Sequence, residues 1–176
     1  KQYVPRQYSI ASPPSRCQQV TLLFNRVPDG PGSSHLFSLH EGDSLLFRGP
    51  NGSFYLQEKP GRDLAFVATG TGIAPFRSMI STYLEQPQVG TLTLYWGLRS
   101  QRDLYYQRDL EALAQRHPNF SFITTLSRSE SGWKGSVGRV TTLVENNISS
   151  VTNVTVFLCG NGGMIRDTTE IVRKKG

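Results

Sequence analysis

The apolar and polar positions change rhythm about a third of the way along the chain. Up to about residue 60 they form short segments of β character, at residues 7–11, 18–25, 44–48 and 54–57. Between them "PP", "PDGPG" and "GPNG" break the backbone, because proline fixes φ and glycine admits φ > 0. This half predicts antiparallel barrel or sandwich material. From about Arg62 the order becomes strand, glycine turn, helix. "DLAFVAT" reads as a short apolar strand, and after a glycine turn "APFRSMISTYLEQ" has helical spacing. "TLTLYWG" is the next strand and "RDLYYQRDLEALAQRH" a charged amphipathic helix. "FSFITTL", "VTTLVENN", "VTVFLCG" and "MIRDTTEIVRKK" continue the alternation. Such alternation predicts a parallel sheet covered on both faces, with ligands beyond the carboxyl ends of its strands. The expected division is residues 1–60 and 61–176, with the boundary stretch "EKPGRD" at 58–63.

Composition narrows the classes. A length of 176 residues accommodates one large domain or two small ones, and no apolar stretch is long enough to span a bilayer. The first residues carry no apolar signal-peptide run, and the expected setting is reducing and cytoplasmic, with the sequons at Asn51, Asn119, Asn147 and Asn153 unmodified. Cys17 and Cys159 match no metal or disulfide spacing, which excludes a four-thiolate iron–sulfur cluster on this chain. The net charge of +6 suits phosphate-bearing ligands or an acidic protein partner. Basic residues are spread along the chain and do not interleave with aromatics, so nucleic acid is the weaker reading.

Four local patterns can carry chemistry. In "ATGTGIAPF" a strand ends, Gly70 and Gly72 permit close backbone approach, and Pro75 sits near the first turn of a helix whose free amides favour phosphate. The same glycines would equally make a tight strand–helix turn with no ligand. "LCGNGGM" repeats the arrangement, with Cys159 at the strand end before Gly160 and Asn161; such a cysteine would alternatively be plain core. "GPGSSHLFSL" places Gly32, Ser33 and Ser34 where amides and hydroxyls could meet a pyrophosphate, or where they simply cap one helical turn. Arg99, Arg128 and Arg139 each follow a strand, and at a common sheet end they would form a phosphomonoester pocket.

Taken together these motifs resemble the ferredoxin–NADP(+) reductase family of flavoproteins. "RQYSIAS" is similar to its flavin-binding Arg-x-Tyr-Ser motif, "GPGSSHLFSLHEGD" to its flavin-pyrophosphate segment, and "GPNGSF" to the barrel segment that follows. "ATGTGIAPFRSM" and "FLCGNGGMIRD" resemble its nicotinamide-nucleotide motifs. The resemblance implies an antiparallel barrel that binds FAD followed by a Rossmann-like NADP domain. It places Arg6, Gln7, Tyr8 and Ser9 at the flavin: Arg6 on the pyrophosphate, Tyr8 against the isoalloxazine, and Ser9 near N5 as a catalytic group. It gives Gly32, Ser33 and Ser34 to the same phosphates. Gly70, Thr71, Gly72, Pro75, Gly160 and Asn161 would receive the nicotinamide nucleotide, with Cys159 beside the nicotinamide ring as the second catalytic group. Arg99, Ser127, Arg128 and Arg139 would hold the 2′-phosphate, which favours NADPH, because an acidic residue near position 127 would repel it.

The implied activity is hydride transfer between NADP(H) and FAD, with single electrons passing to or from a ferredoxin or flavodoxin. The family's barrel has strands before the Arg-x-Tyr-Ser segment, where only five residues stand here, and many members end in a further strand and a flavin-covering aromatic. The barrel is therefore expected to be incomplete. His35 occupies a place often held by an aromatic. The alternatives are a reductase component or module of an oxygenase or diflavin enzyme, and a non-catalytic flavin- or nucleotide-binding regulatory module.

Overall fold

The computed structural model describes residues 5–56, 61–87 and 90–176. Its elements, in chain order, are α1 (Pro31–Ser38), β1 (Asp63–Thr69), α2 (Ile73–Leu84), β2 (Leu92–Leu98), α3 (Gln107–Arg116), β3 (Phe120–Leu126), the two-residue β4 (Ser136–Val137), α4 (Val140–Asn147), β5 (Val154–Cys159) and α5 (Gly162–Arg173). The five strands form one parallel sheet in the order β4-β3-β2-β1-β5. β1 lies inside the sheet, paired on both sides, and its near-continuous apolar run is what burial on both faces demands.

Strand periodicity sorts the core into two layers. Leu64, Phe66 and Ala68 of β1 and Leu92, Leu94 and Trp96 of β2 point to the face covered by α2 and α3, where they meet Phe76, Ile80 and Leu110. Ala65, Val67 and Tyr95 point to the other face and pack on Val140 and Val144 of α4 and Met164 of α5. The register of Ala68 with Cys159, Thr69 with Gly97 and Leu98 with Leu126 brings the carboxyl ends of β1, β2, β3 and β5 to one edge.

The opposite edge is closed by Arg62. Its guanidinium donates to the carbonyls of Thr152 (3.1 Å) and Val154 (2.8 Å) and, from Nε, to the Thr155 hydroxyl (3.1 Å). Beside it Asp63 accepts from the amide and hydroxyl of Thr91. Arg62→Ala leaves part-buried carbonyls without donors, and a loss of about 2 kcal/mol is expected. For a chain of this length that is a drop of roughly 4–8 °C in the midpoint of a thermal melt followed by circular dichroism. A shift under about 1 °C would show that water replaces the guanidinium at little cost.

The first half differs from its expected strands. Residues 7–11 and 18–25 meet through one antiparallel bridge, Ile10 with Leu22, flanked by the Ala11 amide bonded to the Thr21 carbonyl at 2.8 Å. Residues 44–48 and 54–56 form no ladder, while Gln57 and residues 58–60 lie outside the described residues. The physical reason is pairing: β-propensity makes a strand only where a neighbour satisfies its amides and carbonyls, and among the described residues these segments meet a partner only at the Ile10–Leu22 bridge. Leu46 is 90% exposed and Phe47 66% exposed, which is what barrel-type side chains become without a facing layer. The half is nonetheless anchored. Phe54 packs on Phe76 and Phe157, with ring centroids 5.8 and 6.2 Å apart, and Leu23 and Leu56 join the same core.

Candidate functional site

A cleft of about 1510 Å³ lies at the carboxyl edge of the sheet, between it and residues 6–33. Its walls are made by local chemistry that the strand ends dictate. After β1, a single 3₁₀ turn over Gly70–Gly72 leads into α2. Gly70 has φ +53° with open space where a Cβ would stand, so the turn presents bare backbone to the cleft. Gly72 is required for a different reason: a Cβ there would strike the Cys159 carbonyl. After β5, Gly160 has φ +141°, and a Cβ would collide with the hydroxyl of Thr69. That hydroxyl instead accepts from the Asn161 amide at 2.8 Å and ties the two turns together. Asn161 caps α5, its side-chain oxygen accepting from the Gly163 amide at 2.9 Å.

The opposite wall carries the arginine–tyrosine segment. Gly32 in the first turn of α1 lies so close to Arg6 and Tyr8 that a Cβ would come within 2.8 Å of Arg6 Cγ and 2.9 Å of the Tyr8 hydroxyl. Tyr8 also packs edge-on against Phe24, at 5.2 Å between centroids. The segment and the helix turn therefore hold each other in place. Ser33 is buried, and its hydroxyl accepts from the Val27 amide and donates to the Gly30 carbonyl, so what it offers a ligand is its backbone amide. The Ser34 amide bonds the Gly30 carbonyl, and its side chain borders a separate depression with Arg26 and Asp29.

The third wall is cationic. The Arg128 amide donates to the Arg99 carbonyl at 2.8 Å, and the Ser127 amide to that of Leu98, so parallel pairing continues past β2 and β3 and sets the two arginines side by side. Arg139 stands at the N-terminal boundary of α4, held by Gly138, whose carbonyl accepts from the Thr125 hydroxyl and whose amide donates to the Leu126 carbonyl. All three arginines are at the surface, and among the described residues the ion pairs are His40–Asp43 and Arg77–Asp109. Among the described residues, none of the three cations is in an ion pair.

Of the residues singled out in the sequence, all but Ser34 and Pro75 line this cleft. Pro75 is buried within the first turn of α2, where its missing amide costs nothing. Half-burial pushes the Cys159 thiol above its ordinary pKa, so it sits in the cleft neutral near pH 7. Sequence reasoning missed Thr69, Trp96 and Tyr105. Trp96 is fully buried and donates from Nε1 to the Gly70 carbonyl at 3.1 Å, which orients the glycine turn from below. Tyr105 packs edge-on against Trp96 and lines the cleft; burial, with Asp103 and Tyr106 nearby, pushes its hydroxyl up to about 12. A tryptophan two residues before the end of a strand was the one available signal.

The chain carries the two domains of an oxidoreductase that uses FAD and a nicotinamide nucleotide. Residues 1–55 match the oxidoreductase FAD-binding domain and residues 66–170 the oxidoreductase NAD-binding domain. The chain is 34% identical over 176 residues to ferredoxin–NADP reductase B of Sorangium cellulosum, covering 97% of this chain and 72% of that protein. It is 34% identical to the electron transfer component of anthranilate 1,2-dioxygenase from Acinetobacter baylyi, over 91% of this chain and 47% of that one. Among solved structures, a ferredoxin NADP+ reductase from Neisseria gonorrhoeae with bound FAD and NADP superposes with a TM-score of 0.80 at 28% identity, over 97% of this chain and 72% of its own. This chain belongs to the ferredoxin–NADP(+) reductase family of flavoprotein oxidoreductases, whose cofactors are FAD and a nicotinamide nucleotide. It spans about half the length of the dioxygenase component.

Proposed function

We propose that the chain is the catalytic portion of an NADPH-dependent flavoprotein reductase, divided near residue 60 into a flavin-binding and a nucleotide-binding part. The observation that carries the reading is the trio Arg99, Arg128 and Arg139, gathered at one sheet edge with no ion pair among the described residues and continuous with the glycine turns. A 2′-phosphate supplies the charge they lack. The residues fit both cofactors: the walls at Gly32 and Gly70–Gly72 are backbone surfaces on which phosphates are held by amides, and the arginines add charge at the far end.

FAD held here would supply the chemistry of taking a hydride from a reduced nicotinamide and releasing its electrons singly. The protein's own contribution is placement. Arg6 and the free amides of α1 hold the pyrophosphate, Tyr8 covers the ring from a position set by Phe24, and Ser9 stands in the cleft as a hydrogen-bonding group for the reacting edge. The turns at Gly70–Gly72 and Gly160–Asn161, locked by Thr69, carry the second nucleotide with the neutral Cys159 thiol at its inner end. No side chain is needed as a general base.

Ferredoxin-type proteins are the proposed electron partners, with flavodoxin the alternative, and the basic surface favours an acidic carrier. A reductase component of an oxygenase fits the same site and is supported by the dioxygenase relative. A cytoplasmic setting is proposed, and both cysteines are free; no helix among the described residues is long and apolar enough to cross a membrane.

The test is stopped-flow reduction of the FAD-loaded protein by NADPH and by NADH. Arg128→Ala should raise KM for NADPH about 10- to 100-fold and leave KM for NADH within about twofold, since one charge-assisted phosphate contact is lost. Equal effects on the two nucleotides would refute the 2′-phosphate pocket.

A further inference from the structure

Arg77 on α2 stands within "ATGTGIAPFRSM" but has so far been given no role, and it makes a part-buried polar link between the two halves of the cleft. Its Nη1 donates to the Ala11 carbonyl at 3.2 Å, at the end of the stretch that carries Tyr8 and Ser9. Its guanidinium carbon sits 4.8 Å from the centre of the Tyr106 ring, and Nη2 lies 3.8 Å from Asp109 at the start of α3. Its side chain is 25% exposed, so these contacts are partly shielded from water.

The contacts continue in both directions. Tyr106 meets Tyr105, Tyr105 meets Trp96, and Trp96 bonds the Gly70 carbonyl, with centroid separations of 5.7 and 5.3 Å along the aromatic steps. On the other side, Ala11 is fully buried and its amide is bonded to Thr21, while the Ser12 hydroxyl accepts from the Thr21 amide. The glycine turn and the arginine–tyrosine segment thus sit at the two ends of one packed series whose central member is Arg77. Among the described residues, the other polar side-chain tie from residues 5–56 to the sheet unit is an exposed one, between Ser15 and Glu85.

We propose that Arg77 is a positioning residue that sets the separation between the segment bearing Ser9 and the turn at Gly70–Gly72. Resting on the reading of these walls as flavin and nicotinamide sites, it fixes how closely the two rings approach without touching either. Guanidinium chemistry is suited to this role, because a planar cation stacks on Tyr106 and keeps donors free in its plane for Ala11 and Asp109. An ammonium can take up only part of this.

The test compares wild type, Arg77→Met and Arg77→Lys in the FAD-loaded protein and, separately, by amide hydrogen exchange of the protein alone. Arg77→Met is expected to lower kcat by about tenfold or more with KM for NADPH within about twofold, because misplacement of about 1 Å penalises the reaction and not binding. Exchange over residues 6–12 should quicken, while the amides of β1 and β2 keep their protection. Arg77→Lys should recover part of both effects. The proposal is overturned if exchange over residues 6–12 is unchanged, if it rises equally in β1, or if Lys behaves as Met. Failure of wild type to be reduced by either nucleotide would instead sink the proposed function, and the exchange comparison would still decide whether Arg77 tethers the segment.

Discussion

Trp96→Ala is expected to lower stability by about 3–5 kcal/mol and to weaken nucleotide binding in the same variant. The side chain is fully buried between β2 and the helices above it, so its removal opens a cavity that the close-packed face cannot collapse to fill. It also removes one of the two donors to the Gly70 carbonyl, leaving the Ile73 amide. Gly70 has positive φ and open space where a Cβ would stand, so the indole N–H and the Ile73 amide are the bonds that orient that peptide. Denaturant unfolding followed by circular dichroism measures the first loss, and calorimetric titration with NADP+ the second. Trp96→Phe separates them: it keeps most of the volume and loses the indole N–H, so stability should fall by about 1–2 kcal/mol while binding falls nearly as far as in the alanine variant. Should Trp96→Phe bind as wild type, the indole has no part in shaping the turn.

Gly160→Ala is expected to cost about 2–4 kcal/mol from one added methyl group. At φ +141° an alanine is strained, and its Cβ would also lie 2.9 Å from the Thr69 amide nitrogen and 3.0 Å from its carbonyl oxygen, which are backbone atoms of an inner strand and cannot swing aside. Relief requires the turn after β5 to withdraw from the end of β1. That breaks the bond from the Asn161 amide to Thr69 and moves the α5 cap. Adding Thr69→Ala removes the nearest obstructing atom and should restore only part of the loss, since backbone strain and the two backbone contacts persist. A single variant that melts within about 1 °C of wild type would show that the turn yields freely.

The α/β half is legible in the sequence because period-2 and period-3.6 patterns coincide there with burial on two faces. "DLAFVAT" reads as a strand and is β1; "VTTLVENN" lies on α4 and "VTVFLC" is β5. The flavin half is legible as motifs and not as strands, because ladder formation depends on neighbours and not on the segment itself. Ser33 shows a subtler limit: its sequence position suggests a phosphate ligand, but its rotamer closes the loop at Val27. The partners of Thr69, Trp96 and Arg77 escape the sequence for a related reason. Each side chain acts on a backbone atom brought near only by the fold: Asn161, Gly70 and Ala11 respectively. Chemistry carried by a residue's own motif can be read from sequence, whereas chemistry directed at a distant carbonyl or amide cannot.

The strand order also governs how the molecule assembles. β1 is made first and lies inside the sheet, pairing on one side with β2, which follows soon after. Its other neighbour is β5, where Asp63 is in register with Val154, so that edge stays open until nearly the whole sheet unit has been synthesised. Parallel pairing across such a separation is slow, because the entropy of closing the loop comes before any contact rewards it. The Arg62 guanidinium, which reaches Thr152 and the first two residues of β5, completes the same closure. During synthesis, one flank of this apolar strand therefore waits for residues 154–159, and this interval is when the chain is most open to wrong pairing.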